Sequence, residues 1–236
     1  LEMAAQAHLE KRIYLEKLLA QGEQGPLALL ARRRQGSALL KLNRTLHWLA
    51  PLGLNEMVRI ITGQNLYESD ESFEFGRQIC QHLLSETARL SSKHKVRFLL
   101  AHLDNTDTAR RLARLDLRYF AREIAEQLPT QADELSYTAG VNLPTLATLS
   151  PLVRVRMEAI LQNNLHRAVT TWRVPATPPP FPDEVKIWLK AALSENLNQG
   201  LRFQLNFAYC LDCHSALRGR PGNCSVCHSL RVQQYA

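Results

Sequence analysis

The sequence has no apolar run near the roughly 20 residues that a membrane span requires. It also lacks the basic, then apolar, then small-residue order of a signal peptide, because Leu1 opens a charged, amphipathic stretch. These two absences predict a soluble, cytoplasmic protein. The first residue is Leu and not Met, which is read as processing, trimming or a fragment of a longer chain. No internal repeat is apparent, which argues against a repeat architecture. His47, His82, His94, His102 and His166 show no paired spacing with one another or with carboxylates, so they read as ordinary surface or core residues. Cysteine is scarce, and four of the five lie together near the end of the chain.

What is present suits a folded domain. Hydrophobic residues make up 45% of 236, enough apolar surface for one large domain or two small ones. The net charge of +7 comes from arginines scattered along helices, with one short run at Arg32, Arg33 and Arg34. Dispersed arginine reads as a solvated surface, with nucleic acid or an anionic phosphorylated substrate as the rival partners.

The pattern predicts an amphipathic helix over residues 4–21, closed by Gly22, Gly25 and Pro26. Further helices are expected from Leu52 to Ile61, from Phe73 to Ser92 with Asp70 and Ser72 as caps, from Thr108 to Leu115 before a turn at Asp116, and over 150–168. Lys95–Leu100 is a compact apolar run suited to a buried strand, and Thr170–Val174 is β-branched and aromatic. The proline-rich stretch Pro175–Pro182 cannot be helical. Asp183 and Glu184 open the next helix, Gly200 ends it, and Leu201–Tyr209 alternates as a strand. Helices alternating with short strands predict an α/β fold over residues 1–205, followed by a small cysteine module over 206–236.

That module reads Cys210-x2-Cys213-x10-Cys224-x2-Cys227. Each Cys-x2-Cys pair can turn two sulfurs toward one centre, and two pairs complete a tetrahedral zinc shell with bonds of about 2.3 Å. Gly219, Pro221 and Gly222 supply the reversal between the pairs. A module this short has no core of its own, so the metal supplies much of its folding energy. Three rival readings share these residues. Disulfides need an oxidising compartment. Iron accepts the same thiolates. Haem is suggested because each pair runs on into a histidine, His214 and His228, making two Cys-x-x-Cys-His sequences. Cys80, among Ile79, Leu83 and Leu84, reads as a small core residue.

A series of short segments resembles one enzyme family. Gly53-Leu54-Asn55-Glu56-Met57 followed by Ile61-Thr62-Gly63 is similar to the Gly-Leu-Asn-Glu…Thr-Gly stretch of anaerobic (class III) ribonucleoside-triphosphate reductases. Phe75-Gly76, the segment from Thr108 to Asp116, and Tyr137-Thr138 resemble later segments of that family in the same order, and the four-cysteine module closes the series. The resemblance covers essentially the whole chain. It implies the second half of a ten-stranded α/β barrel and a role in making DNA precursors. The family reduces ribonucleoside triphosphates through a glycyl radical near the C-terminus and a thiyl radical on a cysteine. The implied partners are an N-terminal half or a full-length reductase, a radical activating enzyme that uses S-adenosylmethionine, and a nucleotide.

Two departures bear on activity. The family closes on a pattern like Arg-Val-x-Gly-Tyr, whereas this sequence reads Arg231-Val232-Gln233-Gln234-Tyr235, with Gln234 at the place of the radical glycine. Outside the four-cysteine module only Cys80 remains, and it does not stand where the thiyl cysteine is expected. Two further segments are altered, Leu103–Asp107 and Tyr137-Thr138-Ala139-Gly140. The expectation is a reductase-like domain, a fragment or a diverged relative, with no catalytic residue of its own and no nucleotide reduction alone. The alternative is a zinc-ribbon module that contacts nucleic acid through Arg218, Gly219 and Arg220 at its tip.

Overall fold

The structure, a computed structural model, describes residues 1–34, 36–103, 106–124, 128, 130–131, 134–144, 147–174, 182–194, 200–219 and 221–235. In the first part of the chain, helix α1 (Glu2–Ala20) and the short α2 (Ala28–Ala31) precede a small hairpin of β1 (Arg33–Arg34) and β2 (Ser37–Ala38). Arg32 and Arg33 of the arginine run are exposed, as a solvated surface requires.

The α/β part begins at β3 (His47–Leu49). Helices α3 (Leu54–Thr62) and α4 (Asp70–His94) follow, and β4 (Phe98–Leu100) returns to pair with β3 in parallel. Next come α5 (Thr106–Tyr119), α6 (Ala121–Ile124), a two-residue ladder of β5 (Thr130–Gln131) with β6 (Glu134–Leu135), and α7 (Pro151–Leu161). Strand β7 (Thr170–Val174) then pairs in parallel with β8 (Leu201–Leu205), with α8 (Pro182–Ser194) between them in sequence. The two parallel pairs are connected: Ala101, just after β4, bridges in parallel to His166, four residues before β7. Parallel strands joined through helices are the α/β arrangement expected.

Helix α4 is the centrepiece. Ser69 caps it by accepting from the Ser72 backbone N–H at 3.2 Å, and Asp70 and Glu71 lie in its first turn, where the helix dipole favours negative charge. Its inner face buries Cys80, Thr87 and Leu90 against Phe98 and Leu100 of β4, Val58 of α3 and Leu161 of α7. Gly76 explains one of the motif glycines. A Cβ there would stand 2.2 Å from Cδ2 of the fully buried Leu66, so α4 can approach the loop after α3 only without a side chain.

Several boundaries differ from expectation for local reasons. The strand expected over Lys95–Leu100 is only three residues long, because Lys95 adopts a left-handed φ of 51° and ends α4. Asp116 lies inside α5 and not in a turn, its carboxylate accepting from Tyr137. The helix expected over 150–168 stops at Leu161, with Asn164 at φ 64°. The strand expected over Leu201–Tyr209 is broken at Asn206, where the chain leaves the parallel pair for a separate antiparallel sheet. The loop at Asn105, residues 175–181, residues 195–199 and Arg220 lie outside the described residues, whereas Pro182, expected to be non-helical, opens α8 at a first-turn position that needs no N–H. Among the described residues, no helix is long and apolar enough to cross a membrane.

Candidate metal centre

The last part of the chain is a three-stranded antiparallel sheet in the order β10 (Ala216–Arg218), β9 (Phe207–Cys210), β11 (Val232–Tyr235). The cysteines sit in two loops with the same backbone design. The His214 N–H donates to the Cys210 carbonyl at 3.1 Å, and the His228 N–H donates to the Cys224 carbonyl at 2.9 Å. Cys210 N–H donates to the Ser215 carbonyl at 3.0 Å, and Cys224 N–H to the Ser229 carbonyl at 2.8 Å. Both histidines have φ 61°, a left-handed conformation that histidine tolerates better than most residues. A short internal repeat, Cys-x2-Cys-His-Ser, therefore does exist, and it encodes one knuckle used twice.

The four Sγ atoms lie within 4.8 Å of one another. Cys210 and Cys227 are 3.6 Å apart at sulfur, and Cys213 and Cys224 are 3.5 Å apart. A tetrahedron with metal–sulfur bonds of about 2.3 Å has edges of roughly 3.8 Å, so the residues fit one ion with little movement. The same spacings are far beyond a disulfide bond of about 2.05 Å. A single sulfur centre also argues against two haems, each of which would need its own pair. The histidines turn to other work, His214 Nδ1 lying 2.9 Å from the Tyr209 hydroxyl.

Charge makes the same demand. Hydrogen bonds from the Ser215 side chain and backbone hold the Cys213 thiol down to about 6. For Cys227 the Ser229 N–H pulls the thiol down, but hydrogen bonds to Cys213, Cys210 and Cys224 together with burial carry it up to about 12. The two shifts run in opposite directions because the sulfurs crowd one another, and a bound cation would favour the thiolate form of each.

A second constellation is built from residues far apart in sequence. Glu56, fully buried at the start of α3, accepts the Thr138 backbone N–H at Oε2 (3.1 Å) and the Thr138 hydroxyl at Oε1 (2.5 Å). The Gly53 N–H donates to the Thr138 carbonyl at 2.9 Å, and Leu52 bridges to Ala139. Next to this joint the Tyr137 hydroxyl donates to Asp116 Oδ2 at 2.6 Å. Burial pushes the Glu56 carboxyl above its ordinary range, while the Thr138 hydrogen bonds resist. A cleft of about 380 Å³ opens beside it, walled by Met57, Ile60, Ile61 and Leu112, with Asp116 and Tyr137 at its polar end.

Over residues 1–236 the sequence matches the anaerobic ribonucleoside-triphosphate reductase family. The chain belongs to that family. Solved structures agree on the fold. The anaerobic ribonucleotide reductase from Thermotoga maritima with dATP in the specificity site superposes with a TM-score of 0.68 at 14% identity, over 99% of this chain and 36% of that one. The same organism's enzyme with glycerol in the active site gives a TM-score of 0.71 at 14% identity, over 99% and 34%. Another anaerobic ribonucleotide reductase gives 0.69 at 16% identity, over 99% and 34%. The chain thus spans about a third of the length of these enzymes. No curated protein sequence matches it.

In this reductase-family chain the motif segments that look weak one by one form a single joint. Gly53, Glu56, Asp116, Tyr137 and Thr138 meet around one buried carboxylate. Asn55 extends the joint, its side chain accepting the Leu66 N–H at 3.1 Å and donating to Asn65 at 2.9 Å. The altered Gly140 has a structural reason. Its φ is 61°, and a Cβ would lie 2.0 Å from Nδ1 of the buried His102. Gly140→Ala is therefore expected to cost about 2–4 kcal/mol in a denaturant titration, combining left-handed strain with overpacking against the ring. His102, read from sequence as unremarkable, is thus a packing partner of the joint.

The raised Glu56 carboxyl has a pH consequence. Its proton is held more tightly in the folded state than in the unfolded one, so the associated stability is present in acid. That stability is lost as pH rises from the ordinary carboxylate range through the folded-state value. Glu56→Gln removes this slope, so the variant is expected to gain on wild type between about pH 5 and about pH 8 in urea unfolding. Glu56→Ala, which strands the buried Thr138 N–H, is expected to lose about 1–3 kcal/mol at either pH.

The remaining residues singled out by sequence lie elsewhere. Cys80 is buried in α4, its thiol pushed up to about 12 by burial. Gln234 lies in β11 opposite Ala208 of β9, in register with the ribbon sheet. Arg218 is exposed at the ribbon tip, and the Gly219 N–H donates to the Asn206 carbonyl at 2.9 Å.

Proposed function

We propose that this chain contributes the C-terminal half of a ten-stranded reductase barrel over residues 1–205, carrying a structural zinc module over 206–236, and that it does not reduce nucleotides alone. The observation that carries the reading is the disposition of the five cysteines. Four converge on one tetrahedral centre, and the fifth, Cys80, is a buried helical thiol pushed up to about 12. With four sulfurs engaged by a metal and the fifth buried, no cysteine of this chain is left for hydrogen abstraction. Gln234 supports the same reading. A backbone radical is best stabilised at glycine, where no side chain opposes planarity, and position 234 carries a glutamine side chain.

Zinc is the ion proposed for the site; four thiolates within 4.8 Å of one another suit zinc or iron alike, and elemental analysis separates the two. Reduction of a ribonucleoside triphosphate would then need the missing radical parts, from an N-terminal half or a full-length reductase, together with a radical activating enzyme. A soluble, cytoplasmic setting follows from the same reading.

The test is an anaerobic assay of the purified 236-residue chain with ribonucleoside triphosphate, S-adenosylmethionine and an activating enzyme, with a complete reductase as the positive control. No deoxynucleotide from the chain and ready turnover by the control is the expected result; product from the chain alone would sink the reading. Elemental analysis of the same sample is expected to give about one zinc per chain with no visible absorption band.

A further inference from the structure

The ribbon sheet has two faces with different contents. One face buries Ala208, Cys210 and Leu217 around the metal centre. By strand alternation the opposite face carries Phe207 and Tyr209 from β9, Ala216 and Arg218 from β10, and Gln233 and Tyr235 from β11. Phe207 and Tyr235 are directly opposed across strands, their rings stacked at a centroid separation of 4.9 Å and an interplanar angle of 11°. They are nevertheless 45% and 39% exposed. Tyr209 continues the row, its hydroxyl bound to His214.

The electrostatics of the module are one-sided. Residues 206–236 hold three arginines (Arg218, Arg220 and Arg231) and a single acid, Asp212. That acid is occupied by Arg231 at 2.7 Å. Arg218 is exposed and paired in register with Phe207, so a cation stands beside the stacked rings. Exposed rings in a row, flanked by positive charge, form a platform on which bases stack while cations meet the phosphates. An apolar protein partner would find only two stacked rings set among Arg218, Gln233 and the Tyr209 hydroxyl, which suits it less well.

We propose that this outer face binds single-stranded nucleic acid, with bases stacking on Phe207 and Tyr235 and Arg218 engaging the backbone. The proposal is independent of whether the chain takes part in nucleotide reduction. It also moves recognition from the arginine-bearing tip to the aromatic face.

The experiment uses the whole zinc-loaded chain and a fluorescent single-stranded oligothymidylate of about 15 nucleotides, read by anisotropy over a salt series. Phe207→Leu and Tyr235→Leu keep an apolar strand surface but remove the stack. Each is expected to weaken binding roughly tenfold with zinc content and melting unchanged. Arg218→Gln is expected to lower the slope of log affinity against log salt by about one. Four results would overturn the proposal: no binding at low salt, duplex bound as tightly as single strand, affinity indifferent to both leucine variants, or self-association of the chain through this face that the variants abolish.

Discussion

Stripping the metal from the four-thiolate centre is expected to unfold residues 206–236 and leave the α/β part standing. The apolar content of the ribbon is too small to hold it. Its buried cluster is Ala208, Cys210, Leu217 and Cys224, with Cys213 and Val232 at the margin, and two of the four buried members are themselves ligands. Modules below roughly 40 residues need such a staple. Binding of a structural zinc is worth about 10–16 kcal/mol at neutral pH, far more than three short strands supply. The larger cluster around Leu66, Leu90, Leu143 and Leu161 shares no residue with it. Amide exchange followed before and after chelation is the direct measurement. Protection should vanish in β9, β10 and β11 and persist in α4; equal protection in both states would mean that the metal does not hold the ribbon. Cys210→Ser and Cys224→Ser, at fully buried ligands, are expected to be more damaging than Cys227→Ser at an exposed one.

Replacing Arg154 by Met is expected to destabilise the α/β part by about 3–5 kcal/mol, the range found when one partner of a buried ion pair is removed. Arg154 is only 4% exposed. Its Nη1 donates to the Leu143 carbonyl and to Glu158 Oε1, each at 3.0 Å, and its Nη2 donates to the Pro144 carbonyl at 2.7 Å. Glu158 in turn accepts the Leu143 N–H at 3.1 Å, so the pair pins the chain before α7 onto that helix. Without the guanidinium three loop carbonyls, those of Leu143, Pro144 and Ala147, lose a buried donor, and a carboxylate that burial already pushes above its usual range loses its charged partner. It then takes up a proton, so the variant should be comparatively stronger in acid and weaken as pH rises past the ordinary carboxylate range. The double variant Arg154→Met with Glu158→Leu should be less destabilised than the sum of the single changes, since no lone charge is left behind. Thermal melts of all three variants measure this coupling. Strict additivity would mean that the pair does not act as a unit.

These two sites show different degrees of legibility. The metal centre is encoded locally: each pair of ligands is separated by two residues, and the loop that joins them is short enough for spacing alone to imply convergence. Even its misleading feature, the histidine after each pair, is local, since it reports a left-handed knuckle position and not a haem. The Arg154–Glu158 pair is also close in sequence. Nothing in a run of mixed charge distinguishes a buried pair from a solvated one, and the burial is contributed by the segment around Leu143. Glu56 is harder still, because its partner Thr138 lies 82 residues away. Only a resemblance between motif segments hinted that the two belong together.

The sequence by itself determined which four cysteines come together as a candidate metal site, the positions of the long helices, the α/β class and the reductase family, all of which rest on spacing, periodicity or short motifs. Tertiary structure decided where strands end, as at Lys95 and Asn206, and which glycines are forced, as at Gly76 against Leu66 and Gly140 against His102. It also decided which charges are buried and which aromatic rings of the ribbon face outward. The reason is physical: local pattern sets the conformation of a segment, whereas burial and close approach depend on the segment packed against it, and that neighbour is chosen only when the whole chain folds.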